Sequence, residues 1–243
     1  MLEEKDFKMN LWDKKAKSYA RYGKLNDIQI QSFEKIKQEN ISFEEKNIVD
    51  IGCGSGVWTL HLAKLAKNVL GVDSSNAMLE ILKQDALDNK ITNIKTLNMD
   101  FEAFKKSNKE KFDIAFLSMS PALQNEDDFE TFFNLAQDKI YIAWADYRKS
   151  DFLDPIFTHF NTEFKGFYKQ DFEQYLLKNN IAFKKFIFDE IRIAHRSKEE
   201  AIENALWHLN MNGINANKQD LEGFVKGDIK ETIKSKMKLI ICK

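Results

Sequence analysis

Cysteine is nearly absent from these 243 residues: Cys53 and Cys242 are the only two, and neither has a neighbour at metal-ligand spacing. That excludes a disulfide-stapled scaffold and points to a reduced, intracellular protein without a metal site. No apolar run approaches the ~20 residues needed to span a bilayer. The opening MLEEKDFKMN is charged and lacks the apolar core of a signal peptide, so a cytoplasmic location without membrane contact is expected. Charge of one sign is missing too. Lys plus Arg total 37 against 38 for Asp plus Glu, a formal net charge of -1. That balance supplies no long-range attraction for nucleic acid and leaves only a local patch open. Repeats, low-complexity tracts and proline-rich linkers are also missing, so no clean domain boundary is marked.

What is present is an alternation of short apolar runs with helical patterns. Leu11, Trp12, Ala16, Tyr19 and Ala20 recur at helical spacing, and Ile28, Phe33 and Ile36 mark a second helix. Strands are expected at 46–51, 68–72, 94–97, 112–117 and 139–144. Between them lie a helix with Trp58, Leu62, Leu65 and Ala66 on its apolar face, one capped by Ser74 or Ser75, and one near 126–136. This order implies a parallel sheet covered on both faces. Beyond it, residues 151–180 read as helical and aromatic-rich, and 183–194 as a long strand. Residues 198–211 form a helix capped by Ser197, and 238–242 a last strand.

The segment Val49-Asp50-Ile51-Gly52-Cys53-Gly54-Ser55-Gly56 carries most of the functional information. A glycine-rich strand–helix turn lets a ligand approach the backbone and favours an anionic group at the helix start. A tight turn with no ligand is the plain alternative. The neighbours count against it. Asp73 ends the second strand twenty-one residues beyond Gly52, where a carboxylate can accept from both hydroxyls of a ribose. Asp100 ends the third strand, placed to accept from an exocyclic adenine amine, and Phe101 or Met78 can sandwich the ring. Val57 stands where a dinucleotide fingerprint wants its third glycine.

In these segments the chain resembles the class I S-adenosylmethionine-dependent methyltransferases. VDIGCGSG looks like that family's first motif, GVDSSNAM its second, NMDFEAF its adenine-binding segment and FDIAFLSMSPAL its fourth. WDKKAKSYARY looks like the N-terminal helix that covers the cofactor in small-molecule members. The resemblance covers about residues 10–145. It implies a single α/β domain over 1–243 with a Rossmann-like seven-stranded sheet, mostly parallel, the last strand antiparallel, and helices on both faces. Residues 1–40 would be a helical cover, 41–146 the cofactor-binding core, and 147–243 the acceptor-side half with a lid at 197–234. The implied cofactor is S-adenosylmethionine, with product S-adenosylhomocysteine (SAH), held by Tyr19, Asp50, Gly52, Gly54, Asp73, Ser74, Met78, Asp100, Phe101 and Ser118. Members that methylate exocyclic amines of DNA bases or glutamine side chains carry Asn/Asp-Pro-Pro-aromatic in the fourth motif. This chain has Ser118-Met119-Ser120-Pro121 instead.

Methyl transfer asks chiefly for alignment and exclusion of water, and for a base only when the nucleophile arrives protonated. The candidates are His195, His208, Tyr22 and Asp146, each competing with a structural role; His61 and His159 are weaker. Tyr19 and Tyr22, three apart on a helix, would share one face. The many phenylalanines between 152 and 188 suit a second core better than an aromatic acceptor pocket. Lysines at 226, 230, 234, 236, 238 and 243 read as solvated surface. The expected activity is methylation of a small-molecule O, N or S nucleophile. Its rivals are a non-catalytic cofactor-binding module, an RNA methyltransferase and a nicotinamide-dependent oxidoreductase. The acceptor and the oligomeric state are not legible.

Overall fold

The computed structural model describes residues 11–146, 148–163 and 171–243. The charged N-terminal decapeptide and part of the aromatic stretch near 151–180, including Phe164 and Phe167, lie outside the described residues. The chain forms two compact units. The first holds the described residues up to Ala143, residues 171–186 and Lys238–Lys243; the second holds the described residues of 144–163 and Ile187–Met237.

In the first unit the alternation seen in the sequence becomes β1 (Asn47–Ile51), α2 (Thr59–Ala63), β2 (Asn68–Asp73), α3 (Asn76–Asp88), β3 (Ile94–Asn98), α4 (Phe101–Ser107), β4 (Phe112–Ser118), α5 (Glu126–Asn134) and β5 (Ala136–Trp144), preceded by α1 (Asp27–Gln38). Strand pairs β1–β2, β1–β4, β2–β3 and β4–β5 are all parallel. β1 is buried along four of its five residues, as a central strand covered on both faces must be. One core joins Val49 and Ile51 of β1, Leu117 of β4 and Tyr141 of β5 to Phe101, Phe104, Phe129 and Phe132. Phe172, at the start of α7 (Phe172–Lys178), joins it, its ring 5.2 Å from Phe132 and 5.5 Å from Tyr141. Phe172, from the aromatic stretch expected to form a second core, thus belongs to the first unit's core.

The second unit has its own core, in which Leu153, Ile156 and Phe157 of α6 (Leu153–His159) meet Ala201, Ala205 and Leu209 of α8 (Lys198–Met211) and Leu221 of α9 (Lys218–Glu222). α8 begins and ends where its pattern predicts. Ser197 accepts from Glu200 N–H while the Glu200 side chain accepts from Ser197 N–H, a reciprocal cap.

Eight strands pair in the order β3-β2-β1-β4-β5-β8-β6, with β7 (Lys184–Arg196) pairing β8 (Ile229–Cys242). The eighth, beyond the seven expected, is the two-residue β6 (Lys149–Ser150), too short for any sequence pattern. It runs antiparallel to β8, with Lys149 opposite Lys234 and Ser150 opposite Ile233. β8 therefore starts at Ile229, not Lys238, and the stretch between the last two long strands ends six residues before the expected 234. α2 is shorter than its pattern: it stops at Ala63 and leaves Leu65 half exposed. Lys238 is no surface lysine. It is buried, and its ammonium donates to Asp171 and, at 2.8 Å, to Glu173.

Candidate functional site

The turn after β1 runs through three left-handed glycines, Gly52 at φ +68°, Gly54 at +55° and Gly56 at +84°. Gly52 and Gly56 have internal reasons for lacking a side chain. A Cβ on Gly52 would lie 1.8 Å from Ser120 Oγ, and one on Gly56 2.7 Å from Leu82 Cγ. Gly54 differs. Among the described residues nothing lies within 4 Å of where its Cβ would be, so the backbone there has room for a ligand.

The carboxylate of Asp73, ending β2, faces this turn. It accepts from Gly54 N–H at 2.8 Å on one oxygen and from Ser75 N–H at 2.8 Å on the other. Each oxygen keeps a further lone pair, the capacity that a vicinal diol requires. Burial raises the Asp73 pKa; the Ser75 and Gly54 N–H groups oppose the rise and the nearby charge of Asp13 adds to it. Asp50 is more deeply placed, 2% exposed, and accepts from Thr59 Oγ1 at 2.7 Å. Burial pushes its pKa up to about 7 against the Thr59 bond, with Asp73 adding to the rise. Asp50 is thus a buried brace of the turn.

Around these carboxylates stand the other residues singled out from sequence. The Ser74 carbonyl accepts from Asn98 Nδ2 at 3.1 Å. Asn98 also bonds the Asp73 carbonyl at 3.1 Å, locking the ends of β2 and β3 together. Ser75, not Ser74, caps α3, accepting from Met78 N–H. Asp100 caps α4 through Ala103 N–H at 2.8 Å, so one of its oxygens has a structural duty that the sequence reading did not foresee. Met78 and Phe101 are buried, Phe101 stacked on Phe104 with ring centres 6.2 Å apart. Ser118 ends β4 with its Oγ buried and lacking a hydrogen-bond partner. Met119 follows at φ +53°, a strained value for a side chain of that size.

The N-terminal stretch is a strap, not the continuous helix expected through Ala20. Helical backbone ends at Ala16. Tyr19 then packs edge-on to Trp12, centres 6.2 Å apart, while Tyr22 lies 4.6 Å from the ring of His61, so the two tyrosines do not share a helix face. Four ties that the sequence did not reveal hold the strap and α1 against the glycine turn and α3. Ser55 Oγ donates to the Ala20 carbonyl at 2.5 Å and Ser75 Oγ to Asp13 at 2.5 Å. Arg21 pairs with Asp85, and Gln29 Nε2 donates to the Val57 carbonyl at 3.0 Å. Their only signal was Asp13, the single acid in a basic run.

The remaining catalytic candidates lie in the second unit. Asp146 is exposed, just after β5. His195 is exposed near the end of β7, lining a hollow of about 390 Å³ with Arg196, Ser197, Asp228, Ile229 and Lys230. His208 is buried in α8, its ring 4.7 Å from Trp207. Among the described residues no group of three or more His, Cys, Asp or Glu side chains could hold a metal ion, and no helix is long and apolar enough to cross a membrane.

Residues 48–138 match the family model of a methyltransferase domain. The ubiquinone biosynthesis O-methyltransferase of Hydrogenovibrio crunogenus is 29% identical over 43% of this chain and 42% of its own. An rRNA adenine N-6-methyltransferase of Bacteroides fragilis is 36% identical over 28% of this chain and 25% of its own. The chain thus spans less than half the length of these curated relatives. A crystal structure of a SAM-dependent methyltransferase from Thiobacillus denitrificans in complex with SAH superposes with a TM-score of 0.50 at 9% identity, over 94% of this chain and 96% of that one. At that identity the likeness is one of fold.

Proposed function

We propose that this chain, which belongs through residues 48–138 to the class I S-adenosylmethionine-dependent methyltransferase family, transfers a methyl group from that cofactor to a small-molecule nucleophile. The observation that carries the reading is the pairing of Gly54 with Asp73. An unobstructed glycine sits one hydrogen bond from a carboxylate whose two oxygens are already oriented by backbone N–H groups. Such a carboxylate fits a ribose diol, and the open glycine fits close passage of the methionine portion. Asp100 is assigned to the adenine amine. Met78 and Phe101 supply the apolar wall on which the base rests.

The bound cofactor would supply an electrophilic methyl group whose sulfur leaves as a neutral thioether. The chain's own part is placement. Asp73 fixes the ribose, the Gly52–Gly56 turn admits the amino-acid end, and the strap formed by 11–22 keeps water from the adenosyl side. Ser118 Oγ, buried and without a hydrogen-bond partner among the described residues, has a donor and an acceptor to offer a polar group of the ligands. Asp50 takes no proton from an acceptor, because it is sealed beneath the turn.

The fourth segment, Ser118-Met119-Ser120-Pro121, lacks the Asn/Asp-Pro-Pro-aromatic sequence of members that methylate exocyclic base amines, which with the net charge of -1 counts against amino-methylation of nucleic acid and favours a small molecule. Titration calorimetry with SAH tests the cofactor half. Binding is expected, and Asp73→Ala should weaken it on the order of a hundredfold, the loss of two charge-assisted hydrogen bonds. Absence of heat with the wild type would overturn it, and an NADH titration that succeeded instead would favour an oxidoreductase. Methyl turnover against phenols, amines and thiols tests the acceptor half, which turnover on RNA alone would sink.

A further inference from the structure

The first unit carries a second concavity that the methyl-transfer reading does not use. Tyr22, Gly23, Lys24 and Leu25 of the strap, His61 and Lys64 of the α2 region, and Asn89 at the end of α3 line an open hollow of about 430 Å³. Three segments distant in sequence build it, and no carboxylate is among its lining residues. The Tyr22 and His61 rings meet at 4.6 Å with a 49° tilt, and Lys64 Nζ stands 5.1 Å over the Tyr22 ring. The strap between 11 and 25 carries Lys14, Lys15, Lys17, Arg21 and Lys24 against one acid, Asp13. The structure neutralises Arg21 with Asp85. Lys24 and Lys64 have no carboxylate partner among the described residues, whereas Lys83, Lys105 and Lys106 of neighbouring helices all do. Burial and the charge of Lys64 hold His61 below its ordinary pKa, so near neutral pH its ring is an uncharged surface beside two ammonium groups.

One ammonium over an aromatic ring, a second lysine lining the same hollow, and Leu25 37% exposed at the margin match a ligand that joins a phosphate to a flat base. We propose that this hollow is a nucleotide-phosphate site, Lys24 and Lys64 taking the phosphate and the Tyr22–His61 pair the base. It is independent of the adenosyl site and does not rest on the methyl-transfer reading. The source is either a free nucleotide or one nucleotide of single-stranded RNA, whose further phosphates the basic strap would follow.

The test is an NMR titration of histidine-labelled protein saturated with SAH, so that the adenosyl site is filled, with the His61 signals assigned through His61→Gln. The probes are uridine monophosphate, inorganic phosphate and a short oligouridylate. Uridine monophosphate should move the His61 signals saturably, and Lys24→Ala or Lys64→Ala should each weaken it about tenfold, the scale of one charge-assisted contact. SAH affinity should be unchanged in both variants. A much tighter oligouridylate with steep salt dependence identifies RNA as the source, and equal affinity identifies the free nucleotide. His61 signals unmoved by either nucleotide probe, or inorganic phosphate binding as well as uridine monophosphate, would overturn the site. SAH binding is measured on the same samples, so failure of this site and failure of the cofactor reading are told apart.

Discussion

Two carboxylates, one in each unit, are treated in opposite ways. Asp73 is held by two backbone N–H groups, with no cation paired to it among the described residues. Glu231 in the second unit is 0% exposed and enclosed by side chains. Ser150 Oγ donates to one oxygen at 2.5 Å, Arg196 to the other, and Arg148 stands 3.6 Å away. Ser150 in turn accepts from the N–H groups of Phe152 and Leu153, which ties the cluster to the start of α6. Burial and the charge of Arg192 lower the Arg148 pKa to about 10, with Glu231 opposing. Backbone donors orient a carboxylate and leave lone pairs for a ligand, while guanidinium partners consume it. The proposed ligand-binding role of Asp73 and the structural role of Glu231 thus differ in the partners each carboxylate keeps.

The sharpest way to break this contrast is to neutralise both acids. Glu231→Gln leaves two arginines facing a neutral amide, and about 3–5 kcal/mol of stability should be lost, the usual cost of breaking a buried pair. Chemical denaturation reads this, and a midpoint like the wild type's would remove the structural role. Asp73→Asn keeps one accepting oxygen and leaves one of the Gly54 and Ser75 N–H groups without its acceptor, so a smaller loss of about 1–3 kcal/mol is expected while SAH affinity falls.

The glycine turn allows a finer division. Gly52→Ala puts a methyl group against Ser120 at a left-handed residue and should cost at least about 2 kcal/mol. Gly54→Ala meets no protein atom, so the cost should be about 1 kcal/mol of backbone strain, yet SAH binding should fail. Equal loss of stability in both would mean that Gly54 is open for no ligand.

Asp50 supplies a pH test. Its pKa in the fold is about 7 against an ordinary 3.8, so the unfolded chain releases that proton first as pH rises. The stability it lends to the acid form is complete below about 4 and lost as pH climbs through 7. Asp50→Asn should therefore gain stability relative to wild type between pH 4 and 7, seen as a widening gap in thermal midpoints; a constant gap would contradict the burial argument. The smallest effect expected is at Ser197→Ala, where loss of the α8 cap should cost about 1 kcal/mol, also by thermal denaturation.

Much of the first unit was legible because most strands carried a short apolar run and most following helices a cap or periodic face. The reading was weakest where structure is made by pairing. β6 is two residues long, and the first part of β8 is a strand because it pairs with β6 and β7. The strap's ties Asp13–Ser75, Ser55–Ala20 and Arg21–Asp85 span 35 to 64 residues, beyond any local pattern.

Local chemistry alone determined the glycine turn, the acids closing β2 and β3, and the helix at 198–211, since φ preference, spacing and capping act within a few residues. Only the tertiary structure decided that Asp50 is sealed while Asp73 is offered, that Asp100 caps a helix, that Lys238 is buried, and that Tyr22 turns onto His61. Burial and partnership depend on segments far apart in the chain, and no run of residues records what will come to lie against it.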